Sequence, residues 1–180
     1  MPATATVIRV AKVSTIRRYW LDISREEALM GTETDNLALA RRALSHLDTK
    51  FSRRESNILQ PLFDSFSEDA VFWVPCEPNT PRYGEPARGK QQIIDLFMSD
   101  PDFFEGVDIE RPVEFIGDGD RIVATFALRY TIRRTGASYR GKEVALIMDF
   151  KDGQIVRMTE IQDMSAWSQA YPADAGMLAN

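Results

Sequence analysis

The chain has 180 residues, a formal charge of −5 and a sequence isoelectric point near 5.0. That length suits one domain able to bury a core without a metal or disulfide to hold it. The acidic balance excludes nucleic acid and anionic membranes as expected partners, because Arg41-Arg42, Arg53-Arg54 and Arg133-Arg134 are isolated pairs, not a basic stripe.

In chain order, residues 1–32 form an extension rich in Thr, Ala and Arg, with a weak helical pattern from Ile16 to Leu29. Either Met30 is the translation start or residues 1–29 are a mobile arm. Arg9, Lys12, Arg17 and Arg18 interrupt this stretch too often for a signal peptide. No run reaches the roughly 18 apolar residues of a membrane helix. A domain over 33–171 follows, with a tail at 172–180.

Thr34 or Asp35 can cap a first helix whose apolar positions Leu37, Ala40, Leu44 and Leu47 recur at helical spacing. A second helix is expected from Arg54 to Phe66, with Ile58, Leu59, Leu62, Phe63 and Phe66 inward and a kink, or a start near Gln60, imposed by Pro61. Ala70 to Val74 reads as a short strand ended by Pro75, and Glu77 to Gly89 as a loop. Lys90 to Met98 is a third helix, ended by Asp100-Pro101, and Phe103-Phe104 could cover a pocket mouth. Cys76, the lone cysteine, reads as a structural thiol, and the cytoplasm is the expected compartment.

The last third carries four strands in succession: Val113 to Ile116, Arg121 to Arg134, Glu143 to Phe150 and Gln154 to Asp163, with turns at Gly117 to Asp120, Gly136 and Asp152-Gly153. In the second of these, Ile122, Ala124, Phe126, Leu128, Tyr130 and Ile132 share the face expected to be buried. Val123, Thr125, Ala127, Arg129, Thr131 and Arg133 share the other. Helices followed by a meander give an α+β layer arrangement with room for a pocket between the layers.

The run Ser67-Glu68-Asp69-Ala70-Val71-Phe72-Trp73-Val74-Pro75, followed by Arg88-Gly89-Lys90-Gln91-Gln92-Ile93, Asp118-Gly119-Asp120-Arg121, Asp152-Gly153-Gln154-Ile155 and Glu160-Ile161-Gln162-Asp163, resembles the SnoaL-like branch of the nuclear transport factor 2-like superfamily. The likeness covers about Thr34 to Tyr171. It implies a cone-shaped α+β barrel, helices packed on a curved, mostly antiparallel sheet, with a deep pocket. Members include polyketide cyclases, ketosteroid isomerases, dehydratases, epoxide hydrolases and binding proteins without chemistry, so the fold does not choose a function.

The residues narrow that choice. Positions corresponding to the steroid isomerase acids and tyrosine are Ala43, Val74 and Ala145, all apolar. The epoxide hydrolase set finds Arg129, Thr131 and Glu160, one acid short, with Arg129 on the polar strand face. A SnoaL-like cyclase needs a single acid–base carboxylate. Glu160 and Asp163 are the candidates, and alternation puts both on one face only if a bulge intervenes, so Glu160 is preferred. Desolvation in a pocket should raise its pKa.

Tyr130 or Tyr83 could polarise a carbonyl, and His46, the lone histidine, is a further candidate base. Trp73, Tyr83, Phe97, Phe126 and Met158 are the expected ligand-binding residues. Asp163 has a plainer alternative, capping the C-terminal segment or pairing a surface arginine. No metal-ligand spacing is present and no cofactor is implied. The expected partners are a small apolar or aromatic molecule and a second copy of the chain, met through the outer sheet face at Thr125, Ala127, Arg129, Thr131 and Arg133. The expected function is acid–base chemistry (cyclase, isomerase or dehydratase) on a ring-containing or polyketide-like compound; the alternative is a non-catalytic binding module.

Overall fold

The computed structural model describes residues 35–48 and 56–171. The expected extension at 1–32, the Met30 start and the tail at 172–180 lie outside the described residues.

The first helix, α1, covers residues 35–43 and tightens into a 3-10 turn at Ser45–Asp48. Ala40, Ala43, Leu44 and Leu47 bury its apolar stripe in the core. Helix α2 spans Ser56–Ser65 and runs through Pro61 without a new start at Gln60. It buries Leu59, Leu62 and Phe63, while Phe66 already belongs to strand β1, Phe66–Trp73. A two-residue strand, β2 at Ala87–Arg88, leads into α3 at Lys90–Met98, whose inward anchor is Ile93. A single turn, α4 at Asp100–Phe103, has Pro101 in its first turn, where its missing N–H does no harm.

The sheet then follows. Strands β3 (Phe104–Ile109), β4 (Glu114–Asp118), β5 (Arg121–Ile132), β6 (Ser138–Lys151) and β7 (Gln154–Ile161) precede a short helix, α5, at Ser165–Ala170. The seven-stranded sheet runs β2-β1-β7-β6-β5-β3, with β4 also paired to β5. All pairings are antiparallel except β1 with β7, which is parallel. The β6–β7 hairpin turns at Asp152 (φ 51°) and Gly153 (φ 75°), both left-handed as a two-residue hairpin loop requires.

The alternation expected in β5 holds: Ile122, Ala124, Phe126, Leu128, Tyr130 and Ile132 are buried against the helices. Ala127 departs from it, being 1% exposed on the outer side. Strand β3 escaped the sequence reading because a register shift between Glu105 and Asp108, beside Gly106 at φ 62°, breaks its alternation.

The outer face differs from the mixed patch expected there. Arg129 pairs with Asp108 at 2.6 Å and Arg133 with Glu105 at 2.9 Å, so both guanidiniums are engaged by carboxylates of β3. Apolar character lies further along the sheet. Register aligns Ile116 with Val123, Val123 with Ile147, Ile147 with Thr159 and Thr159 with Trp73, a continuous row across β4, β5, β6, β7 and β1. Ile161, in the neighbouring row, is 44% exposed and Ile116 is 61% exposed.

Candidate functional site

A partly open cavity of about 50 Å³ lies between α3, α4 and the inner face of the sheet, room for a handful of water molecules. Phe72 of β1, Leu96 and Phe97 of α3, Phe104 and Val107 of β3, and Leu128 and Tyr130 of β5 supply most of its wall. Arg82, Tyr83, Asp100, Glu160 and Gln162 supply the polar atoms.

Four of the residues expected from sequence therefore meet here: Glu160, Tyr130, Tyr83 and Phe97. Glu160 reaches the inner face because β7 pairs Met158 with Met148 and Glu160 with Leu146, both on the buried side of β6. Tyr130 is held by Phe104, ring centroids 4.8 Å apart and edge-on, and by Tyr139, stacked at 4.6 Å. Phe97 packs against Phe72 at 5.1 Å and Phe63 at 6.3 Å.

The other expected residues lie elsewhere. Trp73 is on the outer sheet face, since Phe72 points inward and successive side chains alternate. Sequence could not choose between them because Val71 and Trp73 are as apolar as Phe72 and Val74. Phe126 and Met158 are buried on the inner face, 4% and 1% exposed, but as core beyond the cavity lining. His46 is buried in the 3-10 turn after α1, its Nδ1 3.2 Å from the Ala43 carbonyl oxygen, and does not line the cavity.

Asp163 lies past the end of β7, so strand alternation no longer governs its direction and no bulge is needed. Its Oδ1 accepts the Ser165 N–H at 2.9 Å, at the first turn of α5. Even so, its carboxylate and that of Glu160 both push up the pKa of the Tyr139 phenol, a shift caused first by burial of the ring. The Asp163 backbone hydrogen bond works in the opposite direction.

Sequence reading missed the ion pair at the cavity wall. Arg82, in the left-handed region at φ 75°, sends Nη2 to Asp100 and to the Leu96 carbonyl (2.5 Å), and Nη1 to Ser99 Oγ (2.5 Å). Its guanidinium also lies over the Phe103 ring at 4.7 Å and the Tyr83 ring at 5.2 Å. Both side chains of the pair are only 6% exposed. The loop that presents Arg82 is closed by its own hydrogen bonds: Thr80 N–H to Glu77 O, Gly84 N–H to Thr80 O, and Cys76 Sγ to Tyr83 O at 3.2 Å. Burial raises the Cys76 pKa, with Thr80 opposing, which suits a structural thiol. Asp100 is thus an acid in the cavity that the epoxide hydrolase comparison did not find, but its arginine is Arg82, not Arg129.

Aromatic rings pack behind two of the lining residues, Tyr83 and Phe104. Trp167 of α5 packs on Tyr83 (5.0 Å), Phe103 (5.8 Å), Phe104 (5.3 Å) and Tyr171 (4.3 Å), and its Nε1 donates to the Pro81 carbonyl. Among the described residues no group of His, Cys, Asp and Glu is arranged to hold a metal ion. None of the described helices is long and apolar enough to cross a membrane.

Residues 55–158 match the sequence profile of the SnoaL-like domain, which is more than half of the chain. No curated protein matches the sequence. Many solved structures share the fold. An NTF2-like protein from Burkholderia xenovorans LB400 superposes with a TM-score of 0.62 at 16% identity, over 77% of this chain and 97% of its own. A Jannaschia sp. CCS1 protein provisionally assigned as a SnoaL-like polyketide cyclase gives 0.61 at 15% identity, over 78% and 93%. TerC, crystallised with polyporic acid, gives 0.57 at 19% identity, over 76% and 97%. At these identities the likeness establishes a shared fold.

Proposed function

The chain belongs to the SnoaL-like domain family, and on that premise we propose that its cavity binds a small, mostly apolar, ring-containing or polyketide-like molecule and carries out acid–base chemistry on it. The observation that supports this reading is the meeting of one carboxylate, Glu160, with two phenols, Tyr130 and Tyr83, inside a wall of aromatic and aliphatic side chains. Glu160 would move a proton to or from carbon while a tyrosine hydroxyl donates to the carbonyl oxygen that gains charge. Asp163 is the alternative acid. A cavity of about 150 Å³ holds benzene, so a ring would enter this one only as wall side chains such as Phe104 move aside. The likeness to a provisionally assigned cyclase and to a protein crystallised with polyporic acid is consistent with such a ligand.

The competing reading is a binding module without turnover. It is favoured by Arg82 and Asp100 being committed to each other, which leaves Glu160 as the remaining charged side chain of the lining. Glu160→Gln separates the two readings, because it keeps the shape and removes the titration. With a substrate found by screening, turnover should fall on the order of a hundredfold or more while binding persists. If Glu160→Gln is silent and Asp163→Asn is not, the roles exchange. Full activity in both variants would remove acid–base chemistry at this end of β7 and leave the binding module.

We further propose a homodimer formed through the apolar row Ile116, Val123, Ile147, Thr159 and Trp73, and the cytoplasm as the working compartment, in keeping with the single, unbridged Cys76.

A further inference from the structure

Phe72, Tyr83, Phe97, Phe104 and Tyr130 give the cavity five aromatic walls. What can enter depends on which of these rings can yield, and that depends on what stands behind each. Phe72 and Phe97 pack on one another, and Phe63 of the ten-residue helix α2 packs against Phe97. Tyr130 is stacked on Tyr139 of β6, a strand paired on both sides within the sheet. Tyr83 and Phe104 are backed differently. Behind both stands Trp167, at 5.0 and 5.3 Å between ring centroids, carried by the six-residue helix α5. Trp167 is 1% exposed, yet it does not line the cavity itself. Its indole N–H also donates to the Pro81 carbonyl, which ties the loop of Tyr83 to the same side chain.

In a close-packed interior a ring cannot turn unless the atoms behind it give way. Tyr83 and Phe104 therefore retreat from the cavity only toward volume that the indole now fills. An indole is larger than a benzene ring, so that volume is of the right order to admit a ring-sized ligand. A short helix seated by a few side chains is also the kind of element that opens at low cost. We propose that Trp167 sets the size of ligand the cavity accepts: its indole holds Tyr83 and Phe104 inward, so that a six-membered ring enters at the cost of displacing it and a smaller molecule does not. This rests on the pocket-binding reading above and names its size determinant.

The test uses the full chain and three ketones of increasing size, acetone, cyclohexanone and acetophenone, titrated by protein-observed NMR with resonances of the lining residues as readout. In the unaltered protein, cyclohexanone and acetophenone should shift the Trp167 indole N–H resonance, assigned by its loss in Trp167→Phe, and acetone should not. In Trp167→Ala, acetone should bind within about twofold of its original affinity. Acetophenone should bind roughly tenfold or more tightly, because the space that it needs is already open. A purely structural role would lower the stability of Trp167→Ala without changing the ratio of the two affinities. An unchanged ratio, or an indole resonance unmoved by bound acetophenone, would overturn the size assignment while leaving a ligand pocket in place. If none of the three ketones perturbs the lining in either protein, the pocket-binding reading fails and takes the size assignment with it. Should Trp167→Ala not fold, the indole resonance of the unaltered protein decides alone.

Discussion

Tyr130 and Tyr139 lie face to face, ring centroids 4.6 Å apart and planes within 5° of parallel. Tyr130 lines the cavity, and Tyr139, 2% exposed, is the flat support that sets its orientation. The phenol of Tyr139 is pushed above its ordinary 10.0 by burial first, with the carboxylates of Asp163 and Glu160 adding to the shift.

That shift has a defined signature in alkali. The folded state holds the Tyr139 proton more tightly than the unfolded chain does, so this stability is fully present below about pH 10 and is lost as pH rises through the folded pKa. Tyr139→Phe should lose less stability over this range than the parent. Urea midpoints measured from pH 9 to 11.5 check it; parallel curves for the two proteins would sink it.

Asp100→Ala should cost about 3–5 kcal/mol, because it leaves the Arg82 guanidinium buried without its counter-charge. The double change Arg82→Met with Asp100→Leu should recover most of that loss, since a buried ion pair can often be replaced by apolar side chains. Urea unfolding of the three variants measures this. A single and a double variant of equal stability would show that the pair is not what holds this corner together.

Gly84→Ala tests the loop that presents Arg82 and Tyr83. A Cβ there would stand 2.7 Å from the Asn79 nitrogen and 2.8 Å from the Thr80 nitrogen, backbone atoms with little freedom to move. A loss of about 1–3 kcal/mol is expected, with weaker binding of any cavity ligand. Unchanged unfolding and unchanged affinity together would mean that the loop shifts freely.

Ile147→Glu places a charge in the middle of the outer apolar row. If two copies meet there, sedimentation equilibrium should find the parent dimeric at micromolar concentration and the variant monomeric, with the fold intact by circular dichroism. A monomeric parent removes the proposed interface.

Much of the scaffold was legible before any coordinates. Strict alternation in β5, the Asp152-Gly153 turn and the helical spacing over Lys90–Met98 are local signals, and each produced the element expected. Glu160 followed from them, because a hairpin turn fixes register and register fixes side. Trp73 did not, since a strand that is apolar on both sides carries no parity signal. The Arg82–Asp100 pair was hidden for another reason: it joins an irregular loop to a helix end 18 residues on, where no periodicity links the two. Tyr139 was lost because Gly136 suggested a turn running to Glu143, whereas β6 begins at Ser138.

The parallel pairing of β1 with β7 sets an order in time. Phe72 and Met158 are neighbours in the sheet although most of the domain separates them along the chain. While the polypeptide is being synthesised, the β1 edge that β7 will occupy waits uncovered until the last strand emerges. Such long-range pairing is slow to form and exposes a sticky edge meanwhile. The wall bearing Phe72 and the carboxylate at Glu160 therefore meet only when translation of the domain is nearly complete. A nascent chain halted before β7 would present a chaperone with an open sheet and a cavity that lacks the wall β7 supplies.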